Sequence, residues 1–322
     1  MFSVVRLPLR AVSGAAAATL LAGCAALTGG SGTDDDQVVA AFYPLAWVSE
    51  QVAGGHVDVT NLTQPGGEPH DLELSIRETA DVERAGLVVY EKGFQPSVDA
   101  AVDQNAEGDV LDVTDVVDLR PFAEHGHDDH AEDHTEEPGA GGDEHAHGDD
   151  DPHFWLDPLL MADVGDAVAD RLSALDPDHA DEYAANAAAT RRELEALDRE
   201  YADGLADCAL DTIVVNHDAF GYLARYGLHV EPIVGLTPDA EPTPADLARL
   251  HDLVREDGIT TVFAESLGSR KAADSLASDL GVKVEVLDPI EGLSDQTADE
   301  DYLSLMRQNL TRLQEANQCQ TP

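Results

Sequence analysis

The amino-acid sequence predicts an α/β protein of two lobes, each a mainly parallel sheet flanked by helices, with one long rigid helix joining them. Three observations carry that expectation. Short β-branched runs alternate with helical patterns in both halves of the chain, an Ala-rich helical stretch over 178–205 separates the halves, and 322 residues are enough for two lobes with cores of their own.

In the first half, strands are expected over 38–43, 57–62, 87–90 and 110–113, with helices over 45–52, 77–84 and 96–104. Each helical stretch is polar on its outer side and long enough for one crossover, which is the pattern of βαβ units. Helices are then expected over 158–175 and 178–205; the second, at about 28 residues and ~1.5 Å per residue, would span ~42 Å and so bridge two lobes. The second half repeats the alternation, with strands over 212–215, 230–234, 260–264 and 282–287 and helices over 219–226, 244–256, 269–280 and 299–317. The expected organisation is an N-terminal lobe over 37–157, connecting helices over 158–207 and a C-terminal lobe over 208–322. Similar sheets on both sides of a long helix predict a cleft between them, with ligands bound outside the carboxyl ends of the strands.

The ends and the composition bound where such a protein works. Arg6 and Arg10 precede a short apolar stretch over 11–22, and Leu21-Ala22-Gly23-Cys24 closes it. This resembles a bacterial lipobox, which implies a signal peptide over 1–23, lipidation of Cys24 and a membrane tether. A plain signal peptide with an incidental cysteine is the alternative, and the apolar run falls short of the ~20 residues of a spanning helix. Residues 24–36 are small and polar and read as a flexible tether. Cys208 and Cys319 remain as an even pair in an oxidising location, either a disulfide tying the C-terminal helix to the second lobe or two unrelated thiols.

The formal charge is −47, from 65 acidic and 18 basic residues. Contact with nucleic acid or an anionic lipid surface is opposed and a cationic ligand is favoured, although a solvated, salt-adapted surface accounts for most of this charge. The segment 123–151 holds His125, His127, His130, His134, His145 and His147 among twelve carboxylates with no Lys or Arg. It has almost nothing to bury and reads as a disordered loop, offering weak, exchangeable metal contacts or serving only as an acidic linker.

Four positions fit the carboxyl-edge expectation. His70 lies in Gly66-Gly67-Glu68-Pro69-His70, in a tight loop after the second expected strand; His153 lies in Asp151-Pro152-His153-Phe154-Trp155-Leu156-Asp157-Pro158. His217 follows the strand over 212–215, and Asp288 follows that over 282–287. Three neutral imidazoles and a carboxylate form an N₃O set that suits tetrahedral Zn²⁺, whereas Mn²⁺ asks for more oxygen and Cu⁺ for sulfur. Each residue alone also fits a surface or core histidine, or a simple Asp-Pro turn, and the separations match no local zinc-finger spacing. Glu265 ends the strand over 260–264 and is an acceptor orienting a ligand imidazole, an alternative oxygen ligand or a plain strand-end acid.

Taken together, Phe42-Tyr43-Pro44-Leu45, Pro69-His70, the His-rich loop, His153-Phe154-Trp155-Leu156-Asp157-Pro158, Asn216-His217-Asp218-Ala219-Phe220-Gly221-Tyr222 and Leu287-Asp288-Pro289 resemble the metal-binding lipoproteins of bacterial zinc and manganese ABC importers, the cluster A-I or cluster 9 substrate-binding proteins. The similarity runs from about Val38 to the C-terminus. It implies two (β/α) lobes joined by a rigid helix, and metal ligands at His70, His153, His217 and Asp288. Manganese members carry glutamate where this chain has His217, and the His-rich loop is typical of zinc members. Both features point to Zn²⁺, with Mn²⁺ as the second cation. Glu68, one residue further from His70 than the acid that many zinc members carry there, is a candidate supporting group. The resemblance implies a non-enzymatic, monomeric, lipid-anchored extracytoplasmic protein that delivers its ion to an ABC permease subunit. The rival readings are a secreted zinc hydrolase using Glu265 as base and a manganese-binding or adhesion lipoprotein of the same family.

Overall fold

The computed structural model describes residues 34–122, 150–238 and 240–320. The expected signal peptide, Cys24, most of the tether and the six histidines of the acidic loop lie outside the described residues.

The first half begins with β1 (Asp34–Ala40), α1 (Tyr43–Ala53), β2 (Asp58–Asn61), α2 (Ile76–Arg84), β3 (Ala85–Tyr90), α3 (Pro96–Asn105) and β4 (Asp109–Asp112). These strands form one parallel sheet in the order β2-β1-β3-β4. A short antiparallel pair, β5 (Arg120–Pro121) and β6 (Asp150–Asp151), follows. Then come α4 (Pro158–Leu175) and α5 (Ala180–Leu205). The second half contains β7 (Thr212–Val215), β8 (His229–Pro232), α6 (Pro244–Glu256), β9 (Thr261–Ala264), α7 (Lys271–Leu280), β10 (Lys283–Val286) and α8 (Tyr302–Ala316), with its strands parallel in the order β10-β9-β7-β8.

Both sheets are wound alike. In each, the first strand is flanked by the second and the third, so the winding direction reverses between β1 and β3 and again between β7 and β9, the position where open α/β sheets form a crevice at their carboxyl ends. The central strands are buried at every position and almost wholly apolar, Ala-Gly-Leu-Val-Val-Tyr in β3 and Thr-Ile-Val-Val in β7, as expected of parallel strands covered on both faces. Edge strand β10, Lys-Val-Glu-Val, alternates exposed and half-buried residues instead.

Local chemistry marks the helix ends. Asp157 caps α4 by accepting from Leu159 N at 2.9 Å, with Pro158 in the first turn. Ser75 with Glu78 and Thr243 with Asp246 form capping boxes on α2 and α6. Helix α5 runs 26 residues, ~39 Å at ~1.5 Å per residue. Its buried residues Tyr183, Ala187, Thr190, Leu194, Leu197 and Tyr201 recur every three or four positions and form one seam. Near its start, Asn186 Nδ2 donates to Val52 O of α1; near its end, Tyr201 OH donates to Met306 O of α8. The helix therefore ties elements from both ends of the chain.

One hydrophobic core runs through both halves, from Val39, Leu87 and Trp155 to Val215, Phe220 and Phe263; a smaller one of Val214, Leu250, Val262 and Leu276 lies in the second half. Cys208 and Cys319 are disulfide-bonded, joining the segment after α5 to the end of α8. Several boundaries differ from the sequence expectation; α1 begins at Tyr43, inside the strand expected over 38–43, and α8 begins at Tyr302 rather than at 299. β1 begins at Asp34, inside the expected tether, and residues 221–226 form a 3₁₀ turn rather than an α-helix. Asp150 and Asp151, placed in the loop by their acidic neighbours, instead pair with Arg120–Pro121, and Asp151 is buried. No described helix is long and apolar enough to cross a membrane.

Candidate metal centre

The carboxyl edges of the two sheets meet around three histidines and a glutamate. His70 follows β2 in a loop held at Pro69 O by Gln95 Nε2 (3.1 Å), with its ring edge-on to Phe94. His153 follows β6 and opens a 3₁₀ turn over Phe154–Leu156. His217 lies two residues beyond β7, and Glu291 follows β10. The second half also fixes β5–β6: Tyr222 OH donates to Asp151 O (2.8 Å) and accepts from Arg120 N (3.1 Å). The lack of a side chain at Gly221 makes room for this packing: a Cβ there would fall 2.1 Å from Arg120 Nη1 and 2.6 Å from Asp151 Oδ2, so those side chains would have to shift.

Four ligand atoms converge, all within 4.8 Å of one another. Glu291 Oε1 lies 3.5 Å from His70 Nε2, 3.4 Å from His153 Nε2 and 3.2 Å from His217 Nε2, and the last two nitrogens are 3.4 Å apart. Ligands at the ~2.0–2.1 Å typical of zinc sit about 3.3–3.4 Å apart along the edges of a tetrahedron. These four separations are close to such edges, and the remaining two, from His70 Nε2 to the other ring nitrogens, lie within 4.8 Å. All four residues are buried, His153 and His217 completely.

Two carboxylates aim the rings by the same device. Asp151 Oδ1 accepts from both the backbone N (3.1 Å) and Nδ1 (2.8 Å) of His153. Glu265 Oε1 accepts from the backbone N (3.0 Å) and Nδ1 (2.6 Å) of His217. With Nδ1 donating outward, each Nε2 presents its lone pair to the centre. Of the roles open to Glu265 in the sequence, its geometry is that of the orienting acceptor.

At the fourth position the carboxylate grouped with the three histidines is that of Glu291, and Asp288 stands outside the group. The Asp288 carboxylate accepts the backbone N–H of Ile290 at 2.8 Å, while Asn309 clamps the Asp288 backbone through Oδ1 and Nδ2. The chain turns at Pro289–Ile290, and the longer Glu291 side chain brings the oxygen in. Glu68 stands behind His70, accepting its backbone N–H at 3.3 Å. The sequence reading missed Glu291 and Asp151; the available signal was their place beside Asp288-Pro289 and His153.

Charge is concentrated here. Burial alone would lower the affinity of the His217 ring for a proton, but Glu265 and Glu291 outweigh it and raise its pKa well above the ordinary value. His153 is also raised, burial being outweighed by its bonds to Asp151 and Glu291. His70 is lowered, chiefly by burial. Glu291 is held well below the carboxylate range because His217 and His70 overcome its burial. Burial and the charge of Glu291 push Glu68 up to about 8. The site is thus built for positive charge, which protons supply when no cation does. Its chemistry is that of a closed ligand set: Glu291 occupies the corner a hydrolytic site leaves for water, and Glu265 is committed to His217.

A family described as the periplasmic component A of the zinc-uptake complex matches residues 38–316. The chain belongs to this family. The family is a solute-binding component of a transporter rather than a group of enzymes, which agrees with the closed ligand set. The zinc-binding lipoprotein AdcA of Streptococcus pneumoniae is 36% identical over 292 residues, covering 88% of this chain and 56% of AdcA. The high-affinity zinc uptake system protein ZnuA of Bacillus subtilis is 33% identical over 290 residues, 88% of each chain. The crystal structure of Zn(II)-bound AdcA from S. pneumoniae superposes with a TM-score of 0.71 at 33% identity, over 89% of this chain and 58% of AdcA. This chain therefore spans little more than half the length of the AdcA proteins it matches.

Proposed function

We propose that this protein is the zinc-capturing component of an ABC importer, with Zn²⁺ as cargo held by His70, His153, His217 and Glu291. The observation that carries the reading is the convergence of three imidazole nitrogens and one carboxylate oxygen within 4.8 Å of one another, with the oxygen 3.2–3.5 Å from each nitrogen, in a buried site. An N₃O set of this kind is poor in oxygen for Mn²⁺ and lacks sulfur for Cu⁺. Capture strips the ion of water and exchanges imidazole protons for metal, so no reaction on a substrate is needed.

In this reading the lobes over 37–157 and 208–322 close on the ion, Cys24 carries the lipid that holds the monomer outside the cytoplasm, and an ABC permease subunit receives the cargo. The histidines over 125–147 supply weak, exchangeable contacts. Equilibrium titration against a competing chelator is expected to give one tight zinc site that survives removal of residues 123–149 and disappears in His217→Ala. The deletion spares Asp150 and Asp151 because Asp151 orients His153. Loss of the tight site on deleting the loop, or its persistence in His217→Ala, refutes the assignment; manganese binding as tight as zinc refutes the choice of ion.

A further inference from the structure

Ile290 has φ of +60°, a left-handed backbone at a β-branched residue whose side chain is fully buried. For such a residue this conformation is a true outlier and persists only where its surroundings enforce it. Three contacts do so. Asp288 Oδ1 accepts from Ile290 N at 2.8 Å, Pro289 O accepts from Trp155 Nε1 at 2.7 Å, and Asn309 holds the backbone of Asp288 from α8 through bonds of 2.9 and 2.6 Å. The residue immediately after the strained position is Glu291.

We propose that Asp288 is a positioning residue: it braces the left-handed turn at Ile290 so that Glu291 Oε1 is delivered to the three imidazoles. The proposal rests on the zinc-site reading and deepens it. Ring nitrogens lie 3.2–3.5 Å from that single oxygen, so a relaxed turn at 290 that withdrew it by one to two ångströms would leave a three-nitrogen site. Glu291 is thus an arm held in place by a turn that resists its own backbone preference. The bracing groups come from both halves of the chain, Trp155 from the first and Asp288 and Asn309 from the second.

The test is zinc affinity by chelator competition on the full chain, with visible absorption of the Co²⁺-loaded protein reporting whether the carboxylate is bound. Asp288→Ala is expected to weaken zinc binding about 10–100-fold, the usual effect of removing a group that supports a ligand. Asp288→Asn keeps an acceptor oxygen for Ile290 N and is expected to stay within about threefold of the unaltered protein. In the Asp288→Ala background, Ile290→Gly and Ile290→Ala lose nearly the same packing but differ in tolerance of positive φ, so the glycine variant is expected to bind zinc about tenfold more tightly. The Co²⁺ spectrum should return toward that of the unaltered protein in the same order. The inference is overturned if Asp288→Asn is as damaging as Asp288→Ala, or if glycine at 290 binds no better than alanine. An unaltered protein that binds no zinc defeats the functional reading instead, and circular dichroism of each variant separates unfolding from loss of the arm.

Discussion

Glu265 is the group whose removal reads most directly on how the centre works. Its Oε1 takes two hydrogen bonds from His217, one from the backbone and one from Nδ1. The backbone bond is the same with or without an ion, so only the ring bond changes in worth when zinc binds at Nε2. A bond to a charged acceptor contributes ~1.5–3 kcal/mol and one to a neutral acceptor ~0.5–1.5. Glu265→Gln therefore costs the bound state about 1–1.5 kcal/mol, close to tenfold in affinity at ~1.4 kcal/mol per decade. The same carboxylate also raises the His217 pKa in the empty protein, so zinc must expel a proton there. Below the raised pKa, affinity in the unaltered protein climbs with pH; without the charge of Glu265 the proton leaves at lower pH and the climb flattens. Chelator-competition titrations from pH 6 to 9 should show the variant about tenfold weaker at the alkaline end, with the gap narrowing as pH falls. Equal affinities throughout, or a ratio that does not move with pH, would refute the assignment of Glu265 as the group that tunes His217.

Glu91 is buried at the carboxyl end of β3, neither of its oxygens has a hydrogen-bond partner among the described residues, and burial lifts its pKa well above 4.5. The stability it contributes is present below about 4.5 and is lost as pH climbs from there toward the folded value; Glu91→Gln should raise the melting temperature at pH 8 more than at pH 5, and an equal effect at both counts against it. The Cys208–Cys319 bond closes a separation of 111 residues, for which loop-closure entropy suggests up to ~4.7 kcal/mol. Replacing both cysteines by serine should lower stability in denaturant by about 2–5 kcal/mol with zinc affinity unchanged, because Cys208 precedes the amino end of β7 and the metal centre lies at its carboxyl end. With a net charge of −47, the metal-free protein should melt at higher temperature as salt rises from ~0.1 to ~1 M and the Debye length shrinks from ~10 to ~3 Å; a flat or falling trend would show that repulsion is not limiting.

Much of the fold was legible because its signals are local. Helix α4 was bounded by Asp157 and Pro158 at one end, and the buried strands β3 and β7 announced themselves as unbroken apolar runs. The three histidines were legible for a related reason: each lies in a loop beyond a strand or strand-like segment, where parallel sheets expose their ends. What the sequence could not settle was which side chains meet across distance. Glu265 had three roles open in the sequence, and only the fold brought it onto His217 across a separation of 48 residues, whereas Asp151 lies two residues from His153 and was a local signal left unread. The fourth ligand shows the limit most plainly. Asp288 and Glu291 are both acids just after β10, and no periodicity separates them. The choice fell to a single left-handed residue, Ile290, which turns one carboxylate back onto the main chain and the other into the cleft. Local patterns in the sequence determined the elements and the kinds of ligand atom, since those follow from neighbours in the chain. Only the tertiary structure decided which oxygen completes the site, since that depends on contacts from Trp155 and Asn309, far from it in the chain.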